Sequence, residues 1–277
     1  MSEMITLVAS REFKCPVIAD CITPNVFQDK KPTEIRELTL WEGNQQRKLG
    51  ELFSVEETQT NENLGNDVIV IRGDAGKVRR IGSSMSRGVI IVKGNVGMHL
   101  GEEMKAGKIT VYGNVGAWAG SMMKGGIIEI HGNASDYLGA PYRGSNKGMA
   151  GGKIIVHGNV GCEAGAHMRK GVIKVYGDAG QFVGFRMKNG TIYVQNNCNG
   201  RAGACMTEGT IIIAGSMEEV LPTFTIEAIK NKAKVEEGEV IETPFYLFVG
   251  DLTESGKGKL YVSKEKNEQL SRFERLL

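Results

Sequence analysis

Cysteine is sparse and scattered in this 277-residue chain. The five residues Cys15, Cys21, Cys162, Cys198 and Cys205 form no CxxC and no paired zinc spacing. That excludes an iron–sulfur domain and reads as free thiols in a reducing cytoplasm. Aromatic residues are few: 9 Phe, 7 Tyr and 2 Trp. The core must therefore come from Ile, Val, Met and Gly. Charge is nearly balanced at a net +2, which removes any bulk attraction toward nucleic acid or an anionic membrane. No apolar run approaches the roughly 18 residues of a spanning helix. The opening MSEMITLVASREFK lacks a basic segment followed by a long apolar stretch, so a signal peptide is not expected and the expected location is cytoplasmic. Catalytic signatures are missing too. There is no HExxH and no GxSxG. The glycines do not form the dinucleotide GxGxxG fingerprint, and Gly258 stands where a phosphate loop needs Ser or Thr.

What is abundant is glycine, 38 residues, in a fixed frame. Gly94-Asn95-Val96-Gly97 is followed by Gly101, Met104 and Gly107. The frame returns 19 residues later as Gly113-Asn114-Val115-Gly116 with Gly120, Met123 and Gly126. After one longer step it returns at Gly158, Gly161, Gly165, Met168 and Gly171, and then at Gly177, Gly180, Gly184, Met187 and Gly190. A fixed period of this size predicts stacked repeats. The expected fold is all-β: a single-stranded right-handed parallel β-helix, a solenoid of about seven to eight coils of 19 residues. It spans residues 66–216, between an N-terminal arm and cap (1–65) and a C-terminal cap and tail (217–277).

Stacking the repeats aligns columns. Ile90, Ile109, Ile128, Ile154, Ile173, Ile192 and Ile211 share one position; Val92, Val111, Ile130, Val156, Val175, Val194 and Ile213 share another, two residues on. Equal parity puts both on one face, filling the interior. The column between them, from Ile91 to Ile212, faces outward onto solvent or a partner. The glycines Gly94, Gly97, Gly101, Gly113, Gly116, Gly120, Gly158, Gly161, Gly165, Gly177, Gly180 and Gly184 are assigned structural roles at corners. The Met column reads as a core stripe rather than a thioether metal site. In the N-terminal segment, Trp41-Glu42-Gly43-Asn44 predicts a hairpin turn. In the C-terminal segment a short helix is expected near 222–233, then strands at 245–249 and 259–262, then a charged helix from 264.

Function concentrates where the columns depart from the bland pattern. Between Gly139 and Met149 the frame carries seven extra residues, including Pro141-Tyr142-Arg143-Gly144-Ser145-Asn146-Lys147. The plain reading is a surface loop; the functional one is a partner or ligand contact through Tyr142, Arg143 and Lys147. A column after the second glycine carries His99, Trp118, Tyr137, Glu163, Phe182 and Arg201. Trp118, Tyr137, Phe182 and Arg201 have the composition of an interface, unless the caps fold over them. His131 and His157 should stack, without evident further metal ligands. Lys105, Lys124, Arg169 and Lys188 form a basic column, either a solvated face or an attraction for an anionic partner or a carboxylate-bearing cofactor arm. No catalytic constellation and no metal site is assigned.

The ladder GNVGxxxGxxMxxG over residues 68–215 resembles the glycine-rich C-terminal domain of glutamate synthase. With Ile22-Thr23-Pro24-Asn25-Val26-Phe27, Val249-Gly250-Asp251-Leu252 and Gly256-Lys257-Gly258-Lys259-Leu260-Tyr261-Val262, nearly the whole chain resembles the C-subunit family of formylmethanofuran dehydrogenase. That resemblance implies a non-catalytic scaffold in a complex that reduces CO2 and attaches it to methanofuran in the first step of methanogenesis. It implies no cofactor in this chain. A molybdenum or tungsten pterin, iron–sulfur clusters and a binuclear metal site would sit in molybdopterin, iron–sulfur and amidohydrolase-like partner subunits, with methanofuran at an interface. Nucleic acid and membrane are not expected partners. The related alternatives are the C subunit of a formyltransferase/hydrolase complex and a stand-alone binding module.

Overall fold

A computed structural model describes residues 2–60 and 67–277. The boundary expected at 65/66 lies outside the described residues. The first segment contributes β1 (Ser2–Ala9), β2 (Val17–Ile18), the one-turn helix α1 (Pro24–Phe27), α2 (Pro32–Arg36), β3 (Thr39–Glu42), β4 (Gln45–Lys48), α3 (Leu49–Leu52) and β5 (Phe53–Thr60). Local chemistry sets these elements. Thr23 accepts from the Val26 N–H at 3.2 Å, with Pro24 at the first helical position. Glu34 accepts from the Lys31 N–H at 2.8 Å. β3 and β4 pair antiparallel around Gly43-Asn44, the hairpin that the turn signal predicts. α1 is tied to the glycine frame through Asn25, which donates to Ser86 Oγ at 2.7 Å and accepts from the Ser86 N–H at 2.9 Å.

The repeat region contributes β6 (Val68–Arg72), β7 (Val78–Arg79), β8 (Val89–Lys93), β9 (Lys108–Val111), β10 (Ile127–Ile130), β11 (Ala150–Val156), β12 (Lys170–Val175), β13 (Thr191–Val194) and β14 (Thr210–Ile213). From β8 to β14 each strand pairs in parallel with the next, and each residue faces its counterpart one repeat on, as Ile109 faces Ile128. A second parallel series of single bridges runs Ala75, Val96, Val115, Ala134, Val160, Ala179, Cys198, Met217. Between these lies an Asn/Asp ladder: the Asn114, Asn133, Asn159 and Asp178 N–H groups donate to the Oδ1 of the preceding repeat's Asn at 2.8–2.9 Å. Both Ile and Val columns, and the Met column from Met85 to Met206, are fully buried.

The last segment adds β15 (Thr225–Lys230), β16 (Ala233–Glu236), β17 (Glu239–Ile241), β18 (Phe245–Gly250) and β19 (Gly258–Ser263), with 3-10 turns at Leu252–Glu254 and Glu268–Leu276. The expected helix near 222–233 is instead strand β15, and the tail is 3-10 rather than α-helical. The strand follows from the β15–β18 pairing, where backbone partners override local propensity. Asn267, wholly buried, closes the last repeat: it donates to Gly215 O at 3.0 Å and Ser263 O at 2.8 Å, and accepts from the Met217 N–H at 2.8 Å.

The single-stranded right-handed parallel β-helix is corrected by this topology. The protein forms a 13-stranded mixed sheet, ordered β15-β18-β19-β14-β13-β12-β11-β10-β9-β8-β6-β1-β5, beside a four-stranded and a two-stranded sheet. β1 pairs parallel with β6 but antiparallel with β5. β19 pairs parallel with β14 but antiparallel with β18. The cause is the open edge: unpaired N–H and C=O groups at each end of the parallel run are taken up by strands from the chain's own termini. One sheet thus crosses all three segments of the sequence.

The column between the two buried ones is not wholly outward. Tyr193 and Ile212 are buried under Ala233, Val235 and Phe245. Lys174, also buried, pairs with Glu236 and Glu239 of the β16–β17 hairpin, and Lys153 pairs with Glu236 at 2.6 Å. These lysines hold the Glu236 carboxyl down at about 2.

This packing can be tested in two ways. A carboxyl depressed in the folded state contributes above its unfolded pKa and loses that contribution as pH falls toward its folded one. Hydrogen exchange in Ala233–Ile241 should therefore accelerate between about pH 4.5 and 2, ahead of the parallel strands; Glu236→Gln should show the faster exchange already at neutral pH. Glycine substitution should depend on backbone approach. A Cβ on Gly113 would lie 2.5 Å from Gly94 O, whereas one on Gly144 meets nothing within 4 Å. Denaturant titration should show Gly113→Ala losing about 3 kcal/mol and Gly144→Ala, strained only by its φ of 86°, about 1 kcal/mol.

Candidate functional site

Each repeat turns a corner through a residue in the left-handed region. At the column expected to form an interface these are His99, Trp118, Tyr137, Glu163, Phe182 and Arg201, with φ of 63°, 60°, 65°, 59°, 63° and 55°. For bulky side chains this conformation is rare and costs about 1–2 kcal/mol relative to glycine. The side chains stack along the repeat: Trp118 lies 5.5 Å from His99 and 4.5 Å from Tyr137, ring planes within 12°. His99, Trp118, Tyr137, Glu163 and Phe182 are half-buried and Arg201 is exposed.

The insertion folds over this stack. Its first end is anchored by the buried Ser121 hydroxyl, which donates to Ala140 O at 2.7 Å. Its far end is held by Arg169, which donates to Asn146 O at 3.2 Å. The Tyr142 ring reaches 5.2 Å from His99. A cleft of about 110 Å³ opens between loop and stack, lined by Trp118, Tyr137, Tyr142, Arg143, Glu163 and His167 among others. The structure therefore joins Tyr142 and Arg143 to Trp118 and Tyr137. Lys147 stays exposed outside the cleft, and Phe182 and Arg201 lie on later repeats, the Arg201 guanidinium 5.3 Å from the Phe182 ring.

Burial sets the electrostatics here. It pushes the Glu163 carboxyl up, with Asp136 adding to the effect. It lowers His167, helped by Arg186, Lys188 and Arg169. It raises the Tyr142 hydroxyl, with buried Glu102 nearby. Two buried nitrogens, Trp118 Nε1 and His99 Nδ1, have no hydrogen-bond partner among the described residues. Glycine contacts make the frame rigid beneath: a Cβ on Gly120 would lie 2.5 Å from Ile154 Cδ1.

A second stack runs along the strand ends. Lys93 sits 3.8 Å over Tyr112, followed by His131, His157 and Tyr176 at centroid spacings of 4.7, 4.8 and 5.4 Å. Glu129, His131 and His157 offer ligand atoms within 4.8 Å of one another. Yet the imidazole planes lie 8° from parallel, so their in-plane lone pairs run side by side instead of converging as a tetrahedral ion requires. Glu129 is engaged by Lys108 at 2.9 Å and by His157 at 3.3 Å. Burial pushes the Cys21 and Cys198 thiols up to about 12, which keeps these two protonated.

Sequence reading missed a second left-handed column. Ser84, Glu103, Met122, His167, Arg186 and Cys205 have φ of 52–57°. A signal was present, since each directly precedes a member of the Met column, but the residue types vary too widely to mark a common role. This column splits the basic one in two. In the earlier repeats Lys124 is paired with Glu103 at 2.8 Å; in the later ones the counterpart of Glu103 is His167 or Arg186.

No family model matches the chain. Among curated proteins, the C subunit of the tungsten-containing formylmethanofuran dehydrogenase 2 of Methanococcus maripaludis is 48% identical over 276 residues, 98% of this chain and all of that one. The chain belongs to the C-subunit family of formylmethanofuran dehydrogenase. The C subunit of the molybdenum-containing enzyme 1 of Methanothermobacter marburgensis is 44% identical over 94 residues, 34% of this chain and 22% of that relative. Among solved structures, the formyltransferase/hydrolase complex of Methylorubrum extorquens with methylofuran contains a chain matching at TM-score 0.79 and 30% identity, covering 93% of this chain and 99% of that one. Membership in the C-subunit family thus spans nearly the whole length, terminal strands included.

The stacked imidazoles make a prediction. Zinc added to the purified chain should leave its melting temperature unchanged, and His131→Ala with His157→Ala should not alter that result. A stoichiometric rise in the native chain, lost in the double variant, would refute the argument from ring planes.

Proposed function

We propose that this chain is a non-catalytic scaffold subunit of a formylmethanofuran dehydrogenase complex, which reduces CO2 and attaches it to methanofuran as formylmethanofuran. The observation carrying the proposal is the 48% identity to a C subunit over all of that relative. The proposed partners are the molybdopterin, iron–sulfur and amidohydrolase-like subunits, which would supply the molybdenum or tungsten pterin, the clusters and the binuclear metal site in the cytoplasm. Trp118, Tyr137, Phe182 and Arg201 are the proposed partner interface. Tyr142, Arg143 and Lys147 are the proposed contact with a partner or with methanofuran. A second reading, the C subunit of a formyltransferase/hydrolase complex, draws on the 30% identical neighbour.

Native mass spectrometry of the complex isolated from its own host, through a tag on this chain, separates these readings. Co-purification of pterin, iron–sulfur and amidohydrolase-like subunits is expected. A formyltransferase with no redox subunit would move the chain to the second reading, and a lone monomer would defeat both. Trp118→Ala should weaken assembly at least tenfold, about 1.4 kcal/mol or more, as truncation of a buried interface aromatic does.

A further inference from the structure

Several cations at the insertion and on the corner columns of the later repeats are left without carboxylate partners. Among the described residues, Arg143, Arg186, Lys188 and Arg201 form no ion pair, whereas Lys108, Lys124, Lys153 and Lys174 on neighbouring columns all do. Three of the unpaired groups gather around the insertion cleft. Arg143 lines it with Glu163 and His167, Arg186 stacks on Phe185, whose ring meets His167 edge to face at 5.9 Å, and Arg186 and Lys188 both act on His167. Two of the guanidiniums are already ordered by stacking: Arg186 lies 5.3 Å from the Phe185 ring and Arg201 5.3 Å from the Phe182 ring, and the two rings meet edge to face at 5.9 Å. Arg186, Arg201 and Phe182 are held with φ of 52°, 55° and 63°. Glycine would occupy those backbone conformations at lower cost, so the side chains are retained against a conformational penalty.

We infer that this patch, from the insertion cleft to Arg201, docks an acidic segment of a partner subunit, with carboxylates engaging Arg186, Lys188 and Arg143. The inference rests on the scaffold reading and names the chemistry of one of its contacts. Charge complementarity selects the occupant. Each guanidinium presents donors that match a carboxylate fork, and for Arg186 and Arg201 stacking on phenylalanine already restricts the rotamers, so less entropy is lost on contact. The earlier repeats cannot take the same segment, because Glu102 and Glu103 occupy that side and already engage Arg80 at 3.5 Å and Lys124 at 2.8 Å. A partner therefore reads one half of a repetitive surface.

The test uses the complex isolated from its own host. A carbodiimide, which joins amines to carboxylates in direct contact, is applied to the native complex. It should link Lys188 to an Asp or Glu of another subunit. The variant Arg143→Glu/Arg186→Glu/Lys188→Glu should lose that subunit, with at least tenfold weaker retention, while the free variant keeps its circular dichroism and melting temperature. Arg169 is left alone because it holds the insertion. Retention in the native complex should also fall steeply with salt. A native complex in which Lys188 forms no intersubunit link, or a folded variant that retains every subunit, would overturn the acidic segment and leave the scaffold standing. Nucleic acid bound by the native chain and released by the variant would also overturn it. If the reversal variant does not fold, the cross-link alone decides. If no other subunit co-purifies with the native chain, the scaffold reading itself fails.

Discussion

Backbone pairing between repeats is the interaction on which the rest depends. In the parallel run each strand's N–H and C=O groups are satisfied by the strands before and after it, in a register that sets each residue against its counterpart. That register holds identical side chains about one strand spacing apart. Isoleucine must therefore pack on isoleucine, asparagine must bond to asparagine, and a like charge repeated in one column would repel itself. The close approach of Gly113 to Gly94 O is the same constraint seen at a corner, where any side chain would push the repeats apart. Diversity is tolerated where side chains point away from the interior. The left-handed corners and the insertion after Gly139 are two such places, where aromatic, acidic and cationic side chains gather.

Much of this was legible from periodicity alone. The Ile, Val and Met columns are buried as the alternation requires, and the Gly43-Asn44 hairpin follows from its turn residues. The β-helix assignment failed for a physical reason. Periodicity describes the parallel run, but β1, β5, β18 and β15 carry no trace of the repeat, and it is they that make the sheet mixed. The 225–230 segment was misread because its strand identity comes from pairing with Phe245–Val249, further along the chain, and not from its own composition. At the site, the sequence identified Trp118, Tyr137, Tyr142 and Arg143 separately. Their meeting depends on how the insertion folds back, anchored by Ser121 and Arg169, which spacing cannot show. The role of Lys174 was hidden likewise: its partners Glu236 and Glu239 lie some sixty residues on.

The terminal segments do more than end the repeats. β1 and β19 extend the parallel run, and antiparallel strands carry the sheet on to β5 at one edge and β15 at the other. The β16–β17 hairpin covers Tyr193 and Ile212 on the outer face. What stays open is a limited set of surfaces, chiefly the aromatic corners and the cationic later repeats. A rigid frame with selected open faces suits a protein that holds others in fixed positions. It also explains why Asp251, at the turn between β18 and β19, is so thoroughly engaged. Burial opposes its charge, yet Thr253 and the Cys205 N–H hold the carboxyl below its ordinary range, fixing the final strands against the last repeat.

The methionine column has a further consequence. Met85, Met104, Met123, Met149, Met168, Met187 and Met206 are all fully buried, one member of the column to each repeat. A thioether in such a place meets an oxidant only when its own repeat breathes, and the polar sulfoxide formed there could not return to the dry interior. The chain therefore carries a built-in chemical clock along its length. The order in which the seven sulfurs are oxidised would record where the frame loosens first, and a complex that grips one end would leave that end's sulfurs the last to change.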